Sequence, residues 1–285
     1  FGSFVRSLSY DECYILPNSF KSALIPFFAR IPVRIGYVGE CRYPLLTRFL
    51  SLDKKQVPLM VDRFTNLASR QDKKMKNKRK WPELSVSEIA KLAIRKQFLN
   101  ATTKKIACFC PGAEFGPSKI WPYKKYAHIA KYLTWQGYLV VTVGSENDVD
   151  IGKNIAKESG NLIINLCGKT SLGQAITLLA ASDLVISNDS GLMHVAAALN
   201  RPLIAIFGSS SPQFTPPLSK RALISKIDLP CSPCFKRSCP LNHMDCLNNI
   251  SVQSVEKQIE QLLLSLTKEK KVNDMSSKTK GFQPE

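Results

Sequence analysis

Short apolar runs alternate with amphipathic segments along most of the chain. Between residues 105 and 227, apolar runs without polar alternation predict strands that are buried on both faces. These strands are predicted over residues 106–110, 139–143, 162–166, 184–186, 203–207 and 223–227. Helical periodicity is found between them, over residues 122–137, 149–159, 172–181 and 192–199. The alternation predicts a parallel, doubly wound α/β sheet, followed by a helix over residues 252–266.

The first hundred residues show the same rhythm less completely. Strands are predicted over residues 13–16 and 33–37, and helices over residues 20–29, 57–68 and 82–98. The first predicted strand and helix could not bury their apolar faces by themselves. We therefore interpret the start of the alternation as lying in the middle of a sheet. We therefore expect one domain over residues 1–100, a second over residues 101–267, and a disordered polar tail over residues 268–285.

The charge of the chain indicates an anionic partner. The net charge is +18 and the sequence pI is about 9.6, which suits nucleic acid, a membrane surface or a phosphorylated substrate. The densest basic run covers residues 70–80. It is typical of a solvated linker or helix surface, and an anion-binding arm is the alternative. Because no apolar run approaches the roughly 18 residues that span a bilayer, we expect a soluble or peripherally attached protein.

The stretch after the predicted strand at residues 184–186 carries candidate phosphate-binding chemistry. Asn188, Asp189, Ser190 and Gly191 supply turn and N-cap residues, and a helix follows. Backbone N–H groups and the positive end of that helix then lie at the carboxyl edge of the sheet, where open α/β sheets bind phosphates. Taken alone, Asp189 fits an ordinary N-cap equally well, and His194 fits a helix-packing histidine.

Two further loops follow strands of the same predicted sheet. Lys119 lies in the long loop after the strand at residues 106–110, where a cation could neutralise a diphosphate leaving group. An ordinary surface lysine is the alternative. Glu146 follows the next strand, where a carboxylate commonly binds a ribose hydroxyl.

A cluster of cysteines follows the last predicted strand. Cys231, Cys234, Cys239 and Cys246 have the spacing C-x2-C-x4-C-x6-C, with His243 between them. These ligands suggest a structural zinc ion or an iron–sulfur cluster, while local disulfides and unligated reduced thiols are the alternatives. The spacing matches no zinc ribbon or finger well. Because the cluster follows the last strand, we expect it to lie at the edge of the sheet, away from the chemistry.

Four segments carry a family resemblance, namely PNSFKS at residues 17–22, CPGAEFG at 110–116, KIWP at 119–122 and NDSGLMHVAAA at 188–198. They closely resemble the lipopolysaccharide ADP-heptose heptosyltransferase II subfamily of glycosyltransferase family 9, and the resemblance extends to about residue 265. It implies a GT-B fold of two Rossmann-like domains, the first incomplete, with the active cleft between them. It also implies inverting transfer of a heptose from ADP-L-glycero-D-manno-heptose to the first heptose of the inner core, without a cofactor for catalysis.

The resemblance assigns roles residue by residue. The donor diphosphate and sugar would be bound by Asp189, Ser190, Gly191 and His194. Lys119 and Asp189 would be the catalytic residues. Of these, Lys119 would be the cation that stabilises the departing ADP. The nucleotide would be held by Glu114, Phe115 and Glu146, of which Glu146 faces the ribose. The acceptor, a heptosylated Kdo-lipid A, would meet Asn18, Ser19 and Lys21.

The same resemblance implies a place of action. Such a protein would work peripherally at the cytoplasmic face of the inner membrane of a Gram-negative bacterium. The positive charge then suits a diphosphate donor and a phosphorylated lipid acceptor, and no nucleic acid partner is expected.

The resemblance also implies a catalytic base for which we find no counterpart. In the family the base is thought to be an aspartate in a Gly-Asp segment of the first βα loop, whereas no such segment precedes Tyr14 and Asp11 stands in another context. The chain begins with Phe1 rather than Met. We therefore expect that some ~60 to 70 residues of the first domain are absent, on a βαβ length of roughly 30 residues, and that this chain is catalytically inactive.

Two hypotheses from other classes remain open from the sequence. A non-catalytic protein could bind nucleic acid through residues 70–80 and the cysteine cluster, and its oligonucleotide binding would be sensitive to salt and indifferent to ADP. Alternatively, the chain could be a remnant whose first domain does not fold stably, which hydrogen exchange over residues 1–68 would reveal.

Overall fold

The computed structural model describes residues 1–68 and 81–279, with side chains of the last helix described to residue 268. The predicted basic run at residues 70–80 therefore lies outside the described residues. The chain forms two compact units, which are Phe1–Arg79 with Gln213–Thr215, and Lys80–Pro212 with Pro216–Glu285. Each unit is built on a parallel sheet, so the α/β prediction is confirmed.

The first unit contains a three-stranded parallel sheet in the order β1–β2–β3. Its strands are β1 (Glu12–Ile15), β2 (Val33–Tyr37) and β3 (Arg48–Leu50), and its helices are α1 (Gly2–Ser7), α2 (Phe20–Phe28) and α3 (Met60–Ala68). Ser19 caps α2 by accepting a hydrogen bond from the backbone N–H of Ser22 at 3.3 Å. The sequence did not predict α1 or β3, because elements of six and three residues show too little periodicity.

The second unit contains a six-stranded parallel sheet in the order β6–β5–β4–β7–β8–β9. The strands are β4 (Ile106–Cys110), β5 (Leu139–Thr142), β6 (Ile163–Asn165), β7 (Leu184–Asn188), β8 (Leu203–Ile206) and β9 (Ala222–Ser225). The helices are α4 (Glu88–Phe98), α5 (Tyr123–Trp135), α6 (Val149–Glu158), α7 (Leu172–Ala180), α8 (Gly191–Ala198), α9 (Asp245–Asn248) and α10 (Val252–Thr279). This strand order is that of a doubly wound, Rossmann-type sheet.

Strand β4 shows why a central strand of this sheet is apolar throughout. Ala107 and Phe109 belong to a core cluster formed with α5 and α10. Ile106, Cys108 and Cys110 belong to a second cluster, formed with α4 and α7 on the opposite face. Since neighbouring residues of a strand point to opposite faces and both faces are covered, no position is left for a polar side chain.

The structure differs from the predicted domain bounds at two places. Helix α4 packs against α7, with Ile94 buried in the same cluster as Leu178, so the units divide between Arg79 and Lys80 rather than near residue 100. Helix α10 runs to Thr279, so the predicted disordered tail is helical over residues 268–279, and residues 280–285 lie outside the described part. Once a helix is nucleated on a buried face, each added residue gains a hydrogen bond, and lysine and glutamate favour this extension. No helix within the described residues is long and apolar enough to cross a membrane.

Candidate active site

The site is built by four loops at the carboxyl edge of the second sheet. They follow β4, β5, β7 and β8, at residues 111–122, 143–148, 189–190 and 207–210. Because these strands are parallel neighbours, their carboxyl ends lie side by side and the loops converge. Side chains far apart in sequence therefore meet at this edge.

Asn188 fixes the loop after β4 against the end of β7. It is the last residue of β7 and is fully buried. Its Oδ1 accepts hydrogen bonds from the Trp121 backbone N–H at 3.2 Å and from the Tyr126 hydroxyl at 3.0 Å, while its Nδ2 donates to the Pro111 carbonyl at 2.5 Å. The sequence interpretation gave Asn188 a role in the turn, whereas the structure makes it the side chain that holds both ends of this loop.

The predicted pair Lys119 and Asp189 is brought into direct contact. Asp189 is buried, and its Oδ2 accepts from Lys119 Nζ at 2.5 Å and from Ser210 Oγ at 2.5 Å. A buried carboxylate with both a cation and a hydroxyl donor is well compensated. Sequence reasoning missed Ser210. The sequence signal that could have found it is the run of serines directly after β8. Because β8 is the neighbour of β7 in the sheet, a residue at the end of β8 lies close to Asp189.

The start of α8 is open to a ligand. Ser190 is the N-cap residue, but its side chain does not cap the helix and its Oγ lies 3.3 Å from Ser187 Oγ. A Cβ placed on Gly191 would meet no atom within 4 Å. The start of α8 thus leaves room for a ligand at the positive end of the helix, and Ser190 and Gly191 line the adjoining cavity, an arrangement suited to phosphate.

His194 lies one turn into α8, near the Lys119–Asp189 pair. Desolvation lowers the pKa of its imidazole, Asp189 opposes this shift, and Lys119 adds to it. Since the ordinary pKa of histidine is about 6.5, the lowered value keeps His194 neutral at neutral pH. It can therefore form hydrogen bonds to a ligand but contributes no positive charge there.

A cavity of about 460 Å³ adjoins the start of α8. Its apolar wall includes Val143, Leu172 and Val195, and polar groups reach it from Glu114, Asp148, Ser190 and Gly191. Its size and mixed lining are typical of a small-ligand site. Of the predicted nucleotide residues, Glu114 lines this cavity, while Glu146 and Phe115 are not part of its lining.

The carboxylate of the β5 loop that faces the cavity belongs to Asp148 rather than Glu146. Asp148 Oδ2 accepts from the Ser145 backbone N–H at 2.7 Å and from Ser145 Oγ at 2.8 Å. It also lies over Gly112, where a Cβ would come within 2.0 Å of Asp148 Oδ1. Glu146 is turned toward Gly168 instead, where a Cβ would lie 2.7 Å from Glu146 Oε2. Glu146, the residue predicted to face the ribose, is therefore not part of the cavity lining, whereas Asp148 is.

Phe115 lies beside Lys119, outside the cavity lining. The Lys119 ammonium is 4.9 Å from the centre of the Phe115 ring, and the Arg237 guanidinium carbon is 5.6 Å from it. Both distances are within the range of cation–π contacts. Phe115 therefore packs against two cations and does not line the nucleotide-sized cavity.

The three predicted acceptor residues lie together after β1 in the first unit. Asn18 Oδ1 accepts from Arg42 Nη2 at 3.2 Å, and Ser19 caps α2. Arg42 is fully buried, its Nη1 also donates to the Pro17 carbonyl at 2.5 Å, and burial lowers the pKa of its guanidinium. Lys21 is exposed on the first turn of α2. Asn18 and Ser19 thus hold the local structure, while Lys21 is free to meet solvent or ligand.

The four clustered cysteines line one small cavity of about 20 Å³, together with His243, Ser118 and Ser209. All of the cysteines are free thiols. Backbone N–H groups, first that of Met244, lower the pKa of Cys239, whereas desolvation raises the pKa of Cys246. Among the described residues no group of three histidine, cysteine or acidic side chains could hold a metal ion, so the predicted metal ligands have no support in this geometry.

We expected this cluster to lie away from the chemistry, and the structure brings it against the loops of the candidate site. Residues 231–246, hereafter the cysteine loop, are hydrogen-bonded to the loops that carry Lys119 and Ser210. Phe235 N donates to the Ser209 carbonyl at 2.8 Å, and Ser118 N donates to the Arg237 carbonyl at 3.2 Å. Sequence order alone does not show which sheet edge a loop after the last strand returns to.

Comparison with known proteins gives consistent matches over most of the chain. A sequence model of glycosyltransferase family 9 (heptosyltransferase) matches residues 1–245. Lipopolysaccharide heptosyltransferase 2 of Escherichia coli (strain K12) is 44% identical over 272 residues, which cover 92% of this chain and 78% of that protein. The Salmonella typhimurium protein of the same name is 44% identical over 271 residues, with the same shares. The structure of E. coli ADP-heptose lps heptosyltransferase II superposes with a TM-score of 0.79 at 42% identity, covering 93% of this chain and 80% of that one.

Proposed function

Since the chain belongs to glycosyltransferase family 9, we propose that it transfers a heptose from ADP-L-glycero-D-manno-heptose to the first heptose of the lipopolysaccharide inner core. The observation that carries this proposal is the contact of Lys119 with Asp189 beside the open start of α8 and the adjoining cavity of about 460 Å³. These features supply a nucleoside pocket and a diphosphate site next to each other, as a nucleotide-linked sugar requires.

The donor is proposed to bind along the edge of the second sheet. The nucleoside occupies the cavity, where Glu114 and Asp148 supply carboxylates and Asp148 is the one suited to the ribose hydroxyls. The diphosphate accepts hydrogen bonds from the first N–H groups of α8, at Gly191 and beyond. His194 and Asp189 then lie on the side of the sugar.

The proposed reaction is an inverting displacement at the anomeric carbon. In the family's reaction the acceptor hydroxyl attacks that carbon, the bond to the diphosphate oxygen breaks, and ADP leaves with the electron pair. The hydroxyl proton passes to a general base, for which the sequence of this chain offers no counterpart, so the residues named here account for the donor half of the reaction. Lys119 and the start of α8 stabilise the charge that grows on the diphosphate. Asp189 holds the Lys119 ammonium in place. The sugar nucleotide already carries an activated leaving group, so no cofactor is proposed.

The acceptor is proposed to be a heptosylated Kdo-lipid A, which Lys21 meets from the segment that Asn18 and Ser19 hold in place. Such an acceptor lies in a membrane, and we propose that the protein attaches peripherally to the cytoplasmic face of the inner membrane. The net charge of +18 favours both the phosphorylated acceptor and an anionic lipid surface.

ADP binding by the purified chain tests this proposal. We expect ADP to raise the melting temperature of the wild-type chain, and Lys119→Ala and Asp189→Ala to lose most of that rise because the diphosphate site is lost. Lys124→Ala is the matched control, since Lys124 is an exposed lysine on α5. Isothermal calorimetry then gives the affinities.

Absence of any thermal response to ADP in the wild-type chain would overturn the proposal. Salt-sensitive binding of a single-stranded oligonucleotide, combined with indifference to ADP, would support the nucleic-acid hypothesis in its place.

A further inference from the structure

The Lys119–Asp189 pair leaves the diphosphate site short of positive charge. Lys119 Nζ lies 2.5 Å from Asp189 Oδ2, so the two residues together carry no net charge. His194 adds none at neutral pH, because desolvation lowers its pKa. A nucleoside diphosphate carries several negative charges, and an unpaired cation would add charge-assisted hydrogen bonds to those that the start of α8 can donate.

The cysteine loop brings a second basic segment to this place. Ser118, which precedes Lys119, donates through its backbone N–H to the Arg237 carbonyl at 3.2 Å, and its hydroxyl donates to the Lys236 carbonyl. The Ser118 hydroxyl also lies 2.9 Å from Ser209 Oγ. The backbone at Arg237 is thus bonded to the turn that carries Lys119.

Gly116 shows how closely the two loops pack. Its φ is +141°, and a Cβ at this position would lie 2.6 Å from the Arg237 carbonyl oxygen. Only glycine adopts this conformation readily and leaves room for that carbonyl. The position of Arg237 relative to the Lys119 turn is therefore fixed by backbone contacts and does not depend on flexible side chains.

The Arg237 side chain shares the Phe115 ring with Lys119. The guanidinium carbon lies 5.6 Å from the ring centre and the Lys119 ammonium 4.9 Å from it. Arg237 is exposed, and no carboxylate of the described residues forms an ion pair with it. A guanidinium that packs on an aromatic face keeps its N–H donors at the edge of the plane, where they can bind phosphate oxygens.

We propose that Arg237 binds the diphosphate of the sugar nucleotide and supplies the unpaired positive charge that Lys119 lacks. This inference rests on the proposed function and adds a residue to the same site. The guanidinium forms charge-assisted hydrogen bonds to the phosphate oxygens, and these bonds strengthen as negative charge grows on the departing ADP. The cysteine loop is then part of the donor site, because it holds the backbone from which Arg237 extends.

Calorimetric titration of the full chain with ADP and with adenosine tests the inference. Arg237→Gln is expected to weaken ADP binding roughly 10-fold, because charge-assisted hydrogen bonds are lost, and to leave adenosine binding unchanged. Arg237→Lys retains the charge without the planar guanidinium. Its affinity for ADP is expected to lie between those of the wild-type chain and Arg237→Gln. Lys236→Gln is the matched control, since it removes the same charge from the neighbouring exposed residue.

Three outcomes would overturn the inference. The first is Arg237→Gln binding ADP as tightly as the wild-type chain. The second is an equal loss in Lys236→Gln, which would show a general charge effect. The third is an equal loss of adenosine binding in Arg237→Gln, which would show a distorted pocket. A wild-type chain that does not bind ADP at all would overturn the proposed function itself, and this inference with it.

Discussion

At the scale of single residues, the candidate site depends on how one buried carboxylate is compensated. Asp189 has little exposed surface, and its Oδ2 accepts from both Lys119 and Ser210. Removing one partner of a buried charge leaves part of its desolvation cost uncompensated, so either partner contributes to the folded state as well as to the site. Ser210 thus has a structural role that can be measured without any ligand.

Ser210→Ala is expected to lower the free energy of unfolding by about 1–3 kcal/mol, because the Asp189 carboxylate loses a hydrogen-bond donor inside the protein. Urea titration followed by tryptophan fluorescence measures this change. Ser254→Ala is the control, since Ser254 lies on α10 and its hydroxyl bonds only locally, to the Ser251 carbonyl. A Ser210→Ala midpoint equal to that of the control would contradict the role of Ser210.

At the scale of elements, helix α4 shows that packing decides to which unit a segment belongs. It is joined in sequence to the first hundred residues, yet its apolar side contacts α7 on one face of the second sheet. Ser87 caps it, and Arg95 donates to the Ala181 carbonyl at 3.0 Å. The helix therefore closes one face of the second sheet and contributes to the core beneath the site.

Substitutions on opposite faces of α4 test this assignment. Ile94 is 5% exposed and Leu92 is 67% exposed. Ile94→Ala is expected to cost the second unit about 2–5 kcal/mol, through lost burial and the cavity left behind, whereas Leu92→Ala is expected to cost less than about 0.5 kcal/mol. All three tryptophans, Trp81, Trp121 and Trp135, belong to this unit, so their fluorescence in urea reports its unfolding. Equal costs for the two variants would contradict the packing of α4.

At the scale of the whole molecule, the dominant property is an excess of positive charge. The chain carries 40 lysine and arginine residues against 22 aspartate and glutamate residues. A net charge of +18 acts over a Debye length of about 10 Å at moderate salt, which favours approach to anionic partners before any specific contact forms. Under the proposed function, this positive charge attracts both the diphosphate of the donor and the anionic membrane that holds the acceptor.

We expect the chain to sediment with vesicles that contain anionic phospholipid, and to be released as the salt concentration rises from about 50 to about 500 mM, because salt screens surface attraction. Vesicles of neutral phosphatidylcholine are the control, and they are expected to bind little. Binding that is equal on neutral vesicles, or that is unaffected by salt, would contradict an electrostatic attachment.

The sequence by itself determined the order and type of most elements in the second unit. Its central strands β4, β7 and β8 are buried at every residue, so their apolar runs were recognisable, and the prediction for β4 matches the structure residue for residue. The loops after β4 and β7 were also recognisable, because Lys119 and Asp189 stand next to strand ends. By contrast, α1 and β3 could not be predicted, because elements of six and three residues are too short to show a period.

Only the tertiary structure decided which side chains face the site. Glu146 and Asp148 are two residues apart in one turn, and the hydrogen bonds of Ser145 to Asp148 direct that carboxylate toward the cavity. Asn188 and Ser210 act on loops that are distant in sequence, and the cysteine loop returns to the Lys119 turn through backbone bonds. Periodicity records which residues are buried within one element. Contacts between loops depend on the order of strands in the sheet and on side-chain direction, which the sequence pattern does not specify.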